Sequence, residues 1–203
     1  MKKVLSTTIL CLIICVLPLI VEPMLVFEGR FLVIIFFFYL LFFTQPALDS
    51  ADVKRDSDKN SMLVITLGLI VSLSGSIIDW AYFRIGEGLI SEATLMALGM
   101  VFLVLGAGIR IWAIMELGKY FSNSVTFDQK HKLITSGPYT FIRHPSYLGA
   151  YLAVVGSALF LGSITFSLIG TAVMLIAYLY RIKVEEVGLN QIFPEEYAAY
   201  SER

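Results

Sequence analysis

Residues 62–82 of this chain carry a single charge, Asp79, and residues 94–115 a single charge, Arg110. An α-helix needs about 20 apolar residues to cross the hydrocarbon of a bilayer. In that medium every backbone N–H and C=O must find its partner inside the structure, which leaves helices as the economical solution for such runs. The rest of the composition agrees. Of 203 residues 58% are apolar and 15% charged, with a mean hydropathy of +0.82, whereas charged residues make up about a quarter of a soluble domain. The formal charge of −1, from 15 Lys and Arg against 16 Asp and Glu, lacks the basic field that most nucleic-acid binding requires. Nucleic acid is not an expected partner; membrane lipids are.

Six apolar segments emerge. Residues 4–21 follow Lys2 and Lys3 without a charge, and where a signal peptide would place small residues for cleavage the chain has Val21, Glu22 and Pro23, so a retained anchor is expected. Residues 31–43 are too few to span alone and are expected to extend back across Glu28 and Arg30 toward Val26. The two runs above end near Trp80 and Trp112, as an aromatic belt would place them. Residues 147–180 would measure about 50 Å as one helix, against a bilayer of about 30 Å, which predicts a helix-turn-helix broken near Leu161, Gly162 and Ser163. The expected fold is an all-α integral membrane protein of about five to six membrane-embedded helices, the last two forming a hairpin, with a cytoplasmic loop and a short C-terminal helix.

Loop charges orient this layout, because Lys and Arg accumulate on the cytoplasmic side. With the N-terminus inside, twelve of the fifteen basic residues fall inside: Lys2, Lys3, Lys54, Arg55, Lys59, Lys119, Lys130, Lys132, Arg143, Arg181, Lys183 and Arg203. Only Arg30 and Arg84 fall outside, and Arg110 sits within a span. The loop 116–143 and the C-terminal tail therefore share the cytoplasmic face.

Stripes of small residues mark where helices approach closely: Gly68, Ser72 and Ser76 on one face, Gly149 and Gly156 on another. Cys11 and Cys15 share a helix face, but no histidine or further cysteine completes a ligand set, so they read as small apolar residues packed in the membrane. The mixed-charge connector 49–60 carries no assigned chemistry.

Charged groups inside a membrane are functional candidates by default. Asp79 and Arg110 qualify, with snorkelling or structural pairing standing beside catalysis as explanations. The richer region is 116–149, which holds both histidines, His131 and His144. No carboxylate or cysteine completes a metal-ligand spacing there, and no metal is expected. Gly137-Pro138 is a turn signal. Pro145 keeps His144 out of the helix that follows, which would present backbone N–H groups and the His144 side chain at the mouth of the last hairpin. Beyond the hairpin, Arg181 and Glu185 lie four apart on one helix face. They could be an interfacial ion pair, or a guanidinium and a carboxylate that hold two ligands side by side. Pro194, Glu195 and Glu196 after Phe193 form a helix start and read as structural.

The string Arg143-His144-Pro145-Ser146-Tyr147-Leu148-Gly149, the upstream Leu133-Ile134-Thr135-Ser136-Gly137-Pro138-Tyr139, and the downstream Arg181, Glu185-Glu186, Leu189, Phe193 and Glu195-Glu196-Tyr197 together resemble the isoprenylcysteine carboxyl methyltransferase family. The resemblance covers the chain from Arg110 onward; its Arg-His-Pro-x-Tyr-x-Gly piece is also similar to sterol reductases and phospholipid methyltransferases. It implies N-terminal transmembrane helices over 1–115 and a catalytic region over 116–203, made of cytoplasmic loop, hairpin and tail. It implies S-adenosylmethionine as cofactor, S-adenosylhomocysteine as product, and methyl transfer to the carboxylate of a lipophilic substrate such as a prenylcysteine. Carried over residue by residue, cofactor contacts fall on His131, Lys132, Leu133, Ile134, Tyr139, His144, Pro145, Ser146, Tyr147 and Glu185. The substrate arginine falls on Arg181, and Arg181 and Glu185 are the residues expected to act in catalysis. A compact prokaryotic, archaeal-type member in a plasma membrane, rather than the endoplasmic reticulum, is the expectation. The rival readings are a phospholipid N-methyltransferase and an NADPH-dependent reductase of the sterol reductase type.

Overall fold

The structure, a computed structural model, describes residues 2–44, 60–121 and 132–202, and every regular element among them is helical. Three helices are long and apolar enough to cross a membrane: Ser61–Phe83, Glu92–Tyr120 and Ile164–Ile192. Three shorter apolar helices, Val4–Leu19, Gly29–Phe43 and Pro145–Phe160, complete the six segments expected. In chain order the α-helical elements are α1 (Lys2–Cys11), α2 (Gly29–Phe43), α3 (Ser61–Leu69), α4 (Gly75–Ile78), α5 (Glu92–Leu117), α6 (Pro145–Phe160), α7 (Ile164–Ile192) and α8 (Pro194–Ser201). α1 continues to Leu19 through π and 3₁₀ turns, and α3 and α4 form one rod through a π-helical turn at Ile70–Ser74.

Local signals set the ends. α2 begins at Gly29 rather than near Val26, because Pro23 starts a separate 3₁₀ turn and the Glu28 carboxylate accepts from Arg30 N at 3.3 Å, capping the helix. Ser91 caps α5 in the same way, accepting from Thr94 N at 3.2 Å. The predicted hairpin break is present: α6 ends at Phe160, Gly162 takes the left-handed conformation (φ +81°), and α7 starts at Ile164. With 29 residues, α7 is about 43 Å long, so its last turns extend past a bilayer of about 30 Å.

The small residues do what their spacing implied. α5 and α6 run antiparallel with their backbones in close approach. A Cβ on Gly106 would lie 2.6 Å from both Ala153 N and Gly149 O, and one on Gly149 would lie 2.6 Å from Arg110 N. Farther along, Gly99 faces Gly156 and Phe160. On the other side of the bundle α3 packs on α7, Gly68 against Met174 and Ala177 and Ser72 against Gly170. Cys11 and Cys15 are buried among apolar neighbours as free thiols.

Asp79 is fully buried and has its partners. Its carboxylate accepts from Ile85 N at 2.9 Å and from the Ser163 hydroxyl, which ties the end of the Ser61–Phe83 helix to the hairpin turn. That is the structural pairing, far from the histidine end. Arg110 is also paired: Nη1 donates to the Ser146 carbonyl at 2.8 Å, pinning the first turn of α6 to α5.

The helix directions sort the chain into two ends. Lys2, Lys119, Lys132, Arg143, Arg181 and Lys183 belong to one, Arg30 and Arg84 to the other. The connector 45–59, Lys130, His131 and Arg203 lie outside the described residues.

Candidate functional site

Two chain segments meet at the basic end of the bundle: the entry to α6 and the last turns of α7. Pro145 occupies the first position of α6, and His144 before it has φ −129° and ψ 58°, outside the helical region. The His144 carbonyl accepts from the amides of both Tyr147 and Leu148 at 3.2 Å. Those two amides are taken up by the helix start itself, and side chains line the mouth beside them.

The side chains form one connected array. Tyr147 donates its hydroxyl proton to Glu185 Oε2 at 2.7 Å and accepts from Arg181 Nε at 3.2 Å. Arg181 also donates through Nη1 to Ser61 Oγ at 2.6 Å. The expected pair of Arg181 and Glu185 is thus joined through a phenol from the neighbouring helix. Tyr147 is stacked between His144 and Tyr178, with ring centroids 5.8 and 5.5 Å away. His144 Nε2 lies 3.1 Å from Glu186 Oε1, and its Nδ1 lies 3.9 Å from Glu185 Oε2. An ionised carboxylate only accepts, so Nε2 carries the hydrogen in that bond. Arg143 adds a second cation 3.5 Å from Glu186.

Burial divides the array by depth. Arg181 is 3% exposed, while the side chains of Glu185 and Glu186 are 29% and 27% exposed. The guanidinium is thus enclosed and the carboxylates open toward solvent, an arrangement that can hold an anion inside and a cation or hydroxyl donor at the surface.

α8 closes the site from the tail. The Tyr200 hydroxyl donates to the Tyr139 carbonyl at 2.6 Å, joining α8 to the 3₁₀ turn Gly137–Thr140. Burial pushes the Tyr139 phenol well above its ordinary pKa, with the Glu185 charge adding to the effect. Burial raises the Tyr197 phenol too, reinforced by Glu186, so both are neutral at physiological pH. The Tyr197 hydroxyl is buried and makes no hydrogen bond of ordinary geometry among the described residues, although Glu186 and Arg143 lie within electrostatic reach.

Of the residues singled out by sequence, His144, Tyr147, Arg181 and Glu185 come together. Pro145 and Ser146 are buried in the turn that positions them, and Tyr139 is buried beside α5. Lys132 is exposed, Leu133 and Ile134 are half-buried in an irregular stretch, and none of the three joins the hydrogen-bonded array among the described residues. His131 lies outside the described residues. Sequence reasoning left Glu186, Arg143 and Ser61 off the site. Glu186 and Arg143 were visible as neighbours of chosen residues, whereas Ser61 carried no local signal.

Residues 97–191 match the model of the isoprenylcysteine carboxyl methyltransferase family. The chain is 34% identical over 104 residues to the protein-S-isoprenylcysteine O-methyltransferase of Schizosaccharomyces pombe, covering 50% of this chain and 44% of that protein. It is 28% identical over 175 residues to protein-S-isoprenylcysteine O-methyltransferase B of Arabidopsis thaliana, covering 85% and 87% respectively. A solved structure of a eukaryotic intramembrane Ras methyltransferase, also an isoprenylcysteine carboxyl methyltransferase, superposes with a TM-score of 0.65 at 24% identity, over 96% of this chain and 71% of that one, and shows the shared fold. The chain spans about half the length of the fission yeast and rice relatives it matches, at 44% and 56%. All of the array except Ser61 falls within the family-matched residues.

Proposed function

We propose that this protein is a membrane methyltransferase that transfers a methyl group from S-adenosylmethionine to the carboxylate of a lipophilic acceptor such as a prenylated cysteine. The observation that supports it most directly is the Arg181–Tyr147–Glu185 array inside the family-matched segment. Relatives named for isoprenylcysteine as substrate point to the same acceptor class.

The residues present fit such a cofactor. An amino-acid ammonium and ribose hydroxyls need acceptors, and Glu185 and Glu186 offer carboxylate oxygens at the partly exposed mouth. His144, Pro145, Ser146 and Tyr147 would surround the same volume, with Tyr139 behind them and the stretch from Lys132 to Ile134 nearby in sequence. When bound, a sulfonium cofactor supplies an activated methyl group.

The chain's own residues do the remaining work. Arg181 would hold the acceptor carboxylate through its guanidinium. A carboxylate with an ordinary pKa near 4 is already ionised at neutral pH, so no general base is required. Holding nucleophile and methyl carbon about 3 Å apart and excluding water can supply several kcal/mol of the barrier. A buried guanidinium favours an anionic acceptor and repels the protonated amine that a phospholipid N-methyltransferase would have to admit. The lipid tail would enter laterally between helices, and the cofactor from the aqueous face.

Calorimetric titration of the full chain in detergent is the test. S-adenosylhomocysteine should bind and NADPH should not; the opposite preference would sink this reading in favour of a reductase.

The array is proposed to face the cytoplasm, a reading that rests on the charge asymmetry between the two ends. In a background lacking Cys11 and Cys15, single cysteines at Lys132 and Lys183 should both react with an impermeant maleimide only from the cytoplasmic side. A cysteine at Arg84 should react from the opposite side, and Lys132 labelling from outside would reverse the orientation.

A further inference from the structure

We infer that Ser61 is a positioning residue for Arg181, so that the first long span, which lies outside the family-matched residues, sets the acceptor site together with the hairpin. The inference rests on the methyltransferase reading above. Ser61 is the first residue of α3, fully buried, and its Oγ accepts from Arg181 Nη1 at 2.6 Å across 120 positions of sequence. A second contact, from Arg181 Nε to Tyr147, comes from a different helix and uses a different nitrogen. A guanidinium is planar, and one hydrogen bond leaves it free to rotate about that bond. Two bonds on two nitrogens, from two helices, fix the plane.

The support for Ser61 is itself rigid. Asn60 holds a left-handed conformation (φ 59°), and its carbonyl accepts from Val64 N at 3.1 Å, so the helix starts at a defined point. Two turns farther on, a Cβ at Gly68 would lie 2.9 Å from Met174 Sδ and 3.7 Å from Ala177 Cβ, which holds α3 tightly against the stretch of α7 that leads to Arg181. Ser61 is therefore held near the guanidinium by the packing of α3 against α7.

The test uses the full chain in detergent with N-acetyl-S-farnesylcysteine as acceptor. Ser61→Ala should raise KM for that acid about tenfold, the size of effect expected when one hydrogen bond to a charged group is lost, while the dissociation constant of S-adenosylhomocysteine stays within about twofold. Ser61→Thr, which keeps the hydroxyl, should recover most of the acceptor affinity. A merely structural role would lower thermal stability and cofactor affinity together, and that result overturns the inference. Wild-type KM in a folded Ser61→Ala variant overturns it while leaving the methyltransferase reading intact. Absence of turnover by the wild type, despite cofactor binding, overturns the acceptor assignment and this inference with it.

Discussion

Arg181→Ala is expected to lower kcat/KM for a carboxylate acceptor by about 10²–10³, the loss of roughly 3–4 kcal/mol when one partner of an enclosed charge pair is removed. The guanidinium is buried, so water replaces it poorly as a partner for the acceptor. Affinity for S-adenosylhomocysteine should change only a fewfold, because Tyr147 still donates to Glu185 after the arginine is gone. Glu185→Ala should do the reverse. It removes an acceptor at the open mouth and should weaken the cofactor by about 1.5–3 kcal/mol, or about 10–150-fold. Steady-state kinetics and calorimetry on the same preparations separate the two effects. Arg181→Ala also deprives Ser61 of a donor, so some loss of thermal stability is expected, and activity is compared per cofactor-binding site. Equal loss of cofactor affinity in both variants would show that the array is a structural ion network rather than two adjoining subsites.

The helices were legible because bilayer thickness limits length in a way that composition reports directly. The hairpin break at Leu161–Ser163 followed from that limit alone. The start of α2 was not, since extending the apolar run past Arg30 ignores the Glu28 side chain, whose capping bond ends the helix there. Within the site, the four-residue spacing of Arg181 and Glu185 correctly put them on one face of α7. Nothing local could show that a tyrosine from α6 stands between them, because that depends on how closely α6 and α7 pack. Glu186 was hidden by the same periodicity: one residue on, it turns about 100° from Glu185, yet His144 lies close enough to reach toward both. Ser61 could be found only by folding the chain, since its partner is 120 residues away.

The close approach of α5 and α6 gives the other large effect. Gly106→Leu should prevent the native bundle from forming, at a cost on the order of 4–5 kcal/mol, the upper end of what single substitutions do by overpacking and comparable to the smaller total stabilities of folded proteins. The first side-chain atom alone would sit 2.6 Å from Ala153 N and from Gly149 O. Those atoms belong to a helix backbone, which cannot swing aside as a long side chain can, so the two helices must separate. Separation also pulls Ser146 from Arg110, loosening the first turn of α6, where His144 and Tyr147 are held. Gly108→Leu is the matched control, on the same helix two positions away, exposed, with nothing within 4 Å of its would-be Cβ. Size-exclusion profiles and thermal unfolding in detergent should show a monodisperse, wild-type-like Gly108 variant and an aggregated or strongly destabilised Gly106 variant. Comparable behaviour of the two would mean that apolar bulk anywhere on α5 is what matters, and that the close backbone contact between α5 and α6 is not what holds the site together.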